Sequence, residues 1–258
     1  TELLLSKHAD RLADNAVRML ETGARHSART VADGRQGAIM GAIITFCLFL
    51  AITAPDVLSK MLHGLFSVFF TGCILLRLLA SRHAGKAGKP ACSATTGAMP
   101  AYTVMVALYK EAAVVPQLAK AMQALDWPRS RLEVLFLCEE DDHLTRRALE
   151  REKLPACFRI IPVPDIGPRT KPKALNYGLQ LAEGELVVVY DAEDLPHPGQ
   201  LREAWHRFAA APDTLACLQA PLIIANGADS WIARQFAFEY AAHFKGLLPW
   251  LANGRFVI

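Results

Sequence analysis

The sequence lacks the short signatures that mark many enzyme classes. No GxxxxGK[ST] loop, no GxGxxG after a strand, no GxSxG turn and no HExxH pair occurs in its 258 residues. P-loop, dinucleotide-fingerprint, α/β-hydrolase and zinc-protease chemistries are thereby left without support. The eight histidines do not cluster, which speaks against a histidine metal site. Six cysteines (Cys47, Cys73, Cys92, Cys138, Cys157, Cys217) are scattered without a CxxC pair and read as buried free thiols in a reducing compartment. A net charge of +3 is too slight for a nucleic-acid binder with a dominant basic surface. The first 30 residues lack an apolar core with a cleavage site, so no cleavable signal peptide is expected. The chain opens on Thr1 and stops on Gly254-Arg-Phe-Val-Ile258, a segment like a strand just beginning, and it reads as a fragment of a longer protein.

Apolar residues are abundant, at 52% of the chain, with a mean hydropathy of +0.20. The excess sits mainly between Gly37 and Ala80. Gly37 to Ala54 carries no charge; as a helix it would rise about 27 Å at ~1.5 Å per residue, near the ~30 Å of a bilayer core. A second run, Val57 to Ala80, keeps Lys60, His63 and Arg77 near its ends, and Pro55-Asp56 turns between the two. The pair predicts a transmembrane hairpin over 37–80; a buried helical hairpin of a soluble domain is the plainer alternative. Arg25, Arg29 and Arg35 precede the hairpin and Arg77, Arg82, Lys86 and Lys89 close it, with no acid between Arg77 and Pro100. The positive-inside rule then puts both flanks in the cytoplasm. Residues 1–36 read as a charged helical segment, solvated or partner-facing, and 81–100 as a linker.

From Tyr102 onward strand-like and helix-like segments alternate. Strands are predicted at Tyr102 to Leu108, Glu133 to Cys138, Phe158 to Val163 and Leu186 to Tyr190. Helices are predicted at Val114 to Leu125, Leu144 to Lys153, Lys173 to Leu181, Gly199 to Ala210 and Asp229 to Leu248, with Leu215 to Ile224 extended. That rhythm predicts an α/β fold, a mostly parallel sheet with helices on both faces. The short apolar run Leu186 to Tyr190 reads as a strand buried on both faces.

Chemistry gathers where these strands end. Asp191-Ala-Glu193-Asp194 places three acids within four residues. In open α/β sheets the ligand crevice lies beyond the carboxyl ends of the strands, and acids there can hold a divalent cation that in turn holds a diphosphate. Tyr109-Lys110-Glu111 and Glu139-Glu140-Asp141-Asp142 follow two other strands, and acids converging on one edge call for a compensating cation. Helix capping is the plain reading of the second cluster, and it suits Asp142 while Glu139 or Glu140 faces the crevice. The opposite sign comes from Pro168-Arg169-Thr170-Lys171-Pro172-Lys173, three cations before a helix start, which suits an anion better than a merely solvated basic loop.

At these residues the chain resembles family 2 glycosyltransferases, in particular the membrane-embedded, cellulose-synthase-like branch of inverting enzymes. Lys171-Pro-Lys173-Ala-Leu-Asn176 is similar to the family's Lys-x-x-x-(Leu/Ile)-Asn segment. Val189-Tyr190-Asp191-Ala-Glu193-Asp194 resembles its DxD motif, with Glu193 in place of the second Asp. Leu137-Cys138-Glu139-Glu140 is similar to the acidic pair that contacts the nucleotide base, Tyr109-Lys110-Glu111-Ala112 to a turn near the uridine, and Gln219-Ala-Pro221 to the following strand. The resemblance implies a GT-A-like (Rossmann-like) fold over 101–258 and a UDP-linked nucleotide-sugar donor with Mg²⁺ or Mn²⁺. It implies that Tyr109, Glu111, Glu139, Glu140, Arg169, Lys171, Lys173 and Asp191 bind the donor, with Asp191 and Glu193 on the metal. The acceptor would be a glycan or polysaccharide at the cytoplasmic membrane face. The family's Thr-Glu-Asp base segment and Gln-x-x-Arg-Trp acceptor segment do not occur in these 258 residues and are expected beyond Ile258.

Two other classes compete. A sugar nucleotidyltransferase would carry a Gly-rich, Arg-containing loop after the first strand, whereas Ala107-Leu-Tyr-Lys-Glu111 has no glycine. A non-catalytic membrane scaffold would have no need of Asp191, Glu193 and Lys171. The aromatic segment Trp231 to Trp250 reads as a helix at the membrane surface or under an acceptor channel, or as an ordinary core helix.

Overall fold

A computed structural model of the chain describes residues 2–22, 33–82 and 98–254. Arg25, Arg29, Lys86, Lys89, most of the expected linker and the last four residues lie outside the described residues. The chain divides into two compact units, Thr1–Arg29 with Ser93–Pro212, and Thr30–Cys92 with Asp213–Ile258.

The first unit is built on four parallel strands, β1 (Tyr102–Leu108), β2 (Leu132–Glu139), β3 (Phe158–Val163) and β4 (Leu186–Tyr190), in the order β3-β2-β1-β4. Parallel neighbours need a crossover, and the helices supply it: α4 (Val115–Gln123), α5 (His143–Arg151) and α6 (Lys171–Leu179), with α7 (Gln200–Ala210) after β4. Alternate side chains of β1 serve opposite faces. Tyr102, Val104, Val106 and Leu108 pack with Leu118 and Met122 of α4, Leu149 of α5 and Leu201 of α7. Met105, with Leu135, Leu137 and Ile161, packs instead with Ala174 and Tyr177 of α6 and with Ala13 and Ala16 of α1 (Glu2–Thr22).

One expectation needs correction. β4 is not buried on both faces: Val187 and Val189 are 41% and 43% exposed. The strand stands at the sheet edge, and α6 packs over β1, β2 and β3 on the face those two valines share. Leu186 and Val188 point the other way and pack against the α4–α5–α7 core, where Tyr190 is buried.

In the second unit, α2 (Gly34–Thr53) and α3 (Pro55–Ser81) are long and apolar enough to cross a membrane, and they bury almost nothing. Asp33 and Gln36 form a reciprocal capping box at the start of α2. The Thr45 and Thr53 hydroxyls donate back to the Gly41 and Phe49 carbonyls at 2.8 Å, so neither polar group needs water. Residues 213–230 contain no helix and no strand paired into a sheet, so the run expected to be extended at 215–224 adds no strand to the sheet. The long aromatic helix is also interrupted: α8 (Trp231–Ala242) gives way to a π turn at His243–Leu247 before α9 (Leu248–Asn253). Pro249 has no N–H with which to continue an α ladder, and the Leu248 N–H bonds His243 O in the wider π register. Arg77 near the end of α3 pairs with Glu239 of α8 at 3.0 Å.

The entry to β4 depends on a close backbone approach. An added Cβ on Gly184 would stand 2.4 Å from the Thr103 backbone nitrogen, and the Gly184 N–H donates to Thr103 Oγ1 at 2.9 Å. Gly184→Ala should therefore destabilise the unit by about 1–3 kcal/mol. Thermal unfolding checks this; an unchanged Tm would show that the approach is not tight.

Candidate functional site

Strand order locates the crevice. The chain runs β1, β2, β3 outward in one direction and then places β4 on the other side of β1, so the direction of winding reverses between β1 and β4. Loops leaving two such strands diverge and open a cleft at their carboxyl ends. The four strand-end loops begin at Tyr109, Glu140, Pro164 and Asp191.

The loop after β1 is held in an unusual backbone conformation. Lys110 has φ +62, in the left-handed region that L-residues seldom enter. Its N–H donates to Asp142 Oδ2, the neighbouring Glu111 N–H donates to Thr145 Oγ1 at 3.0 Å, and Asp142 Oδ1 caps α5 by accepting from the Thr145 N–H at 3.1 Å. Burial pushes the Asp142 carboxyl upward, but the bonds from Thr145 and Lys110 outweigh it and leave the pKa below the usual carboxylate value. Asp142 is thus a cap and a loop anchor. Its partner Thr145 carried no signal in the sequence beyond its place three residues after an acid.

A cavity of about 150 Å³ opens behind this loop, lined by Ala107, Leu108, Tyr109, Glu139, Arg169, Thr170, Lys171 and Ala174. Four of the residues expected to bind a donor, Tyr109, Glu139, Arg169 and Lys171, therefore line one cavity. Lys110 lies over the Tyr109 ring, 5.0 Å from its centre. Arg169 ties three loops together: it pairs with Asp165 and with Asp141 at 2.7 Å and donates to Tyr109 Oη at 3.4 Å. The Asp165 hydrogen bond, followed by that to Tyr109, raises the pKa of the guanidinium, while Arg169 holds the Asp165 carboxyl below its ordinary range. Asp165 was missed in the sequence, although its spacing of four from Arg169 was a readable hint. Glu111 and Glu140 do not line the cavity; Glu140 is exposed, and its N–H bonds Val163 O at 2.9 Å.

The basic segment splits in two. α6 begins at Lys171, two residues earlier than the sequence suggests, with Thr170 as N-cap and Pro172 in its first turn. Residues two apart on a helix point about 200° away from each other. Lys173 accordingly turns inward, is fully buried, and pairs with Glu139 at 2.8 Å while donating to Pro164 O at 3.1 Å. Lys171 turns outward, 43% exposed, and pairs with Asp191. Among the described residues no side chain caps the first turn of α6, so its N–H groups and Lys171 present positive potential together.

Around Asp191 the backbone folds into a tight acidic turn. Asp194 Oδ2 accepts from the Asp191 N–H at 2.8 Å, and the Asp194 N–H returns to Asp191 O at 3.1 Å. Burial pushes the Asp194 carboxyl above its usual pKa, with Lys171 acting in the opposite sense. Glu193 is exposed. Among the described residues no three His, Cys, Asp or Glu side chains form a preassembled metal cage. Asp191 and Glu193 suit a hard divalent cation that takes its remaining oxygens from phosphate and water, and Lys171 already sets a positive charge on Asp191.

The Glu139–Lys173 pair makes a direct stability prediction. Lys173→Met would leave a carboxylate buried without its cation, at a cost of about 3–5 kcal/mol, and adding Glu139→Gln should recover much of that loss. Denaturant unfolding of both variants checks it; equal stability of Lys173→Met and wild type would contradict the pairing.

Comparison with known proteins shows what the chain is similar to. Over 100 residues the chain is 29% identical to Probable glycosyltransferase YdaM of Bacillus subtilis (strain 168), covering 38% of this chain and 24% of that protein. Over 129 residues it is 31% identical to Cellulose synthase 2 of Novacetimonas hansenii, covering 50% of this chain and 8% of that protein. Among solved structures it is similar to a mannosyltransferase from Pyrobaculum calidifontis in complex with GDP-Man and Mn²⁺, at 26% identity and a TM-score of 0.49, over 61% of this chain and 46% of that one. The chain thus spans less than a quarter of the length of the curated relatives it matches. The family described as Glycosyltransferase like family 2 matches residues 100–249, more than half of the sequence, and the chain belongs to that family.

Proposed function

We propose that the chain is the donor-binding part of an inverting glycosyltransferase that moves a sugar from a nucleotide diphosphate, UDP foremost, to a glycan or polysaccharide acceptor. The observation that carries this reading is the juxtaposition of the Lys171–Asp191 pair with the cavity walled by Tyr109, Glu139 and Arg169. Glu139 Oε2 is engaged by Lys173, which leaves Oε1 to accept an N–H from the base, as uracil offers at N3. Tyr109 provides an aromatic wall, and Arg169 orients it through its hydroxyl. Lys173 acts through Glu139, because from its buried position it does not face the cleft.

Asp191 and Glu193 would hold Mg²⁺ or Mn²⁺ against the diphosphate, and when bound that cation supplies neutralising charge to the leaving group. Lys171 and the first turn of α6 stand ready to take up the same negative charge. In the proposed reaction the acceptor oxygen attacks the anomeric carbon from the face opposite the diphosphate. The glycosidic C–O bond to the nucleotide breaks with its electron pair leaving on phosphate, and the acceptor's proton passes to a general base. The family's base and acceptor segments do not occur in these 258 residues.

α2 and α3 are proposed to cross the inner or plasma membrane as a hairpin, with Arg35 before it and Arg77 and Arg82 after it on the cytoplasmic side. The donor site then faces the cytoplasm.

Calorimetric titration of the detergent-solubilised chain tests the reading. UDP should bind in the presence of Mn²⁺, and Asp191→Asn should weaken the metal-dependent part by at least about tenfold, on the order of 1.4 kcal/mol. Equal binding of all nucleotides, or none, would overturn the donor assignment. The 258-residue chain by itself should release no transferred sugar from UDP-sugars in a product assay, and measurable transfer would refute that expectation.

A further inference from the structure

α1, charged along its length and separated from the sheet by some eighty residues of sequence on the order of a small domain, is built into the back of the donor cradle. Its inward face carries Leu12, Ala13, Ala16 and Val17. Ala13 and Ala16 are 1% and 0% exposed, in one cluster with Ala174 and Tyr177 of α6. Alanines at the contact let two helix axes approach closely. The approach is close enough for α6 side chains to bond the α1 backbone: Gln180 Nε2 donates to Leu12 O at 3.0 Å and Asn176 Nδ2 to Ala16 O at 3.4 Å. A carbonyl has two lone pairs, so each of these oxygens can accept a bond from α6 beside its intrahelical one, and together they set the register of α1 on α6.

A third contact reaches the basic loop itself. Gly167 has φ +76, and a Cβ built there would stand 2.5 Å from Val17 Cγ2. Val17 occupies the space that any side chain at 167 would need. Two residues further on is Arg169, and Lys171 opens α6. The segment that carries both cations is thus fastened to α1 at its loop, through Gly167, and at its helix, through Asn176 and Gln180.

We propose that α1 is a positioning element for the donor site: Ala16 and Val17, acting through α6 and Gly167, hold Arg169 and Lys171 in the arrangement that receives the diphosphate. Ordering this loop in advance removes an entropic cost that binding would otherwise carry. The nature of the ligand rests on the glycosyltransferase reading above; the bracing of the loop does not.

The experiment separates the two. On the full chain, hydrogen exchange over 164–176 is measured without nucleotide, and UDP affinity is measured with Mn²⁺, for wild type, Val17→Ala, Ala16→Glu and Asp14→Asn on the exposed face of α1. Ala16→Glu should speed exchange across 164–176 by about tenfold or more while leaving β1 and β2 protected, and should weaken UDP by about fivefold or more. Val17→Ala, which favours helix and removes the contact with Gly167, should shift both in the same direction by less, and Asp14→Asn should match wild type. Unchanged exchange over 164–176 in Ala16→Glu, with α1 itself unprotected, would overturn the proposal. If Ala16→Glu does not fold, unchanged exchange in Val17→Ala overturns it instead. Absence of UDP binding in wild type would sink the donor reading alone, because exchange still decides whether α1 braces the loop.

Discussion

The ion pair between Glu139 and Lys173 is the constraint on which the rest of the site depends. Both side chains are almost wholly removed from water, and neither could remain charged there without the other. Lys173 also donates to Pro164 O, so one ammonium joins the end of β2, the start of the β3 loop and the first turn of α6. That joint sets the rotation of α6. With Lys173 turned inward, helix geometry turns Lys171 outward toward Asp191, and it aims the uncapped first turn of α6 at the same cleft. Replacing the pair by apolar residues of similar volume could preserve stability, but it would erase the carboxylate that lines the cavity. The pair is better understood as fixing a direction than as adding free energy.

A second layer of organisation is carried by backbone hydrogen bonds rather than charge. The Lys110 peptide sits in a left-handed conformation because Asp142 and Thr145 receive the N–H groups of Lys110 and Glu111. The same Asp142 caps α5. The loop after β1 and the helix after β2 are therefore fastened together, and Tyr109 inherits its place from a residue on a different strand-end. Arg169 extends this fastening to the β3 loop through Asp141 and Asp165.

Much of the strand pattern was legible because buried parallel strands are short, apolar and bounded by turn residues. β1, β3 and β4 begin and end where the sequence suggests. The placing of acids and cations at strand ends was legible for the same reason, since polar residues abruptly ending an apolar run have few places to go. Three features were not. The exposure of Val187 and Val189 depends on how far α6 extends over the sheet, which a run of valines does not encode. The split of Lys171 from Lys173 depends on both residues being helical and on which face of α6 meets Glu139, and a basic run before an expected helix start encodes neither. The docking of α1 was hidden because the two residues buried most fully on its inward face are alanines, which give a weak apolar stripe among many charges. Small residues signal contact only when the partner is known.

The place of α1 in the fold also bears on how the chain is threaded. α1 precedes α2 and α3 in sequence, while the sheet it packs against follows them, yet α1 and the sheet form one compact unit. A segment that leaves a compartment and must rejoin its partner there can cross a barrier only an even number of times. For a membrane-spanning hairpin, the parity of crossings is therefore dictated by the packing of Ala13 and Ala16, independently of any arginine count. It also sets an order of events during synthesis. α1 leaves the ribosome well before β1, so the helix that will pack on α6 must wait, without its partner, while the apolar helices are made.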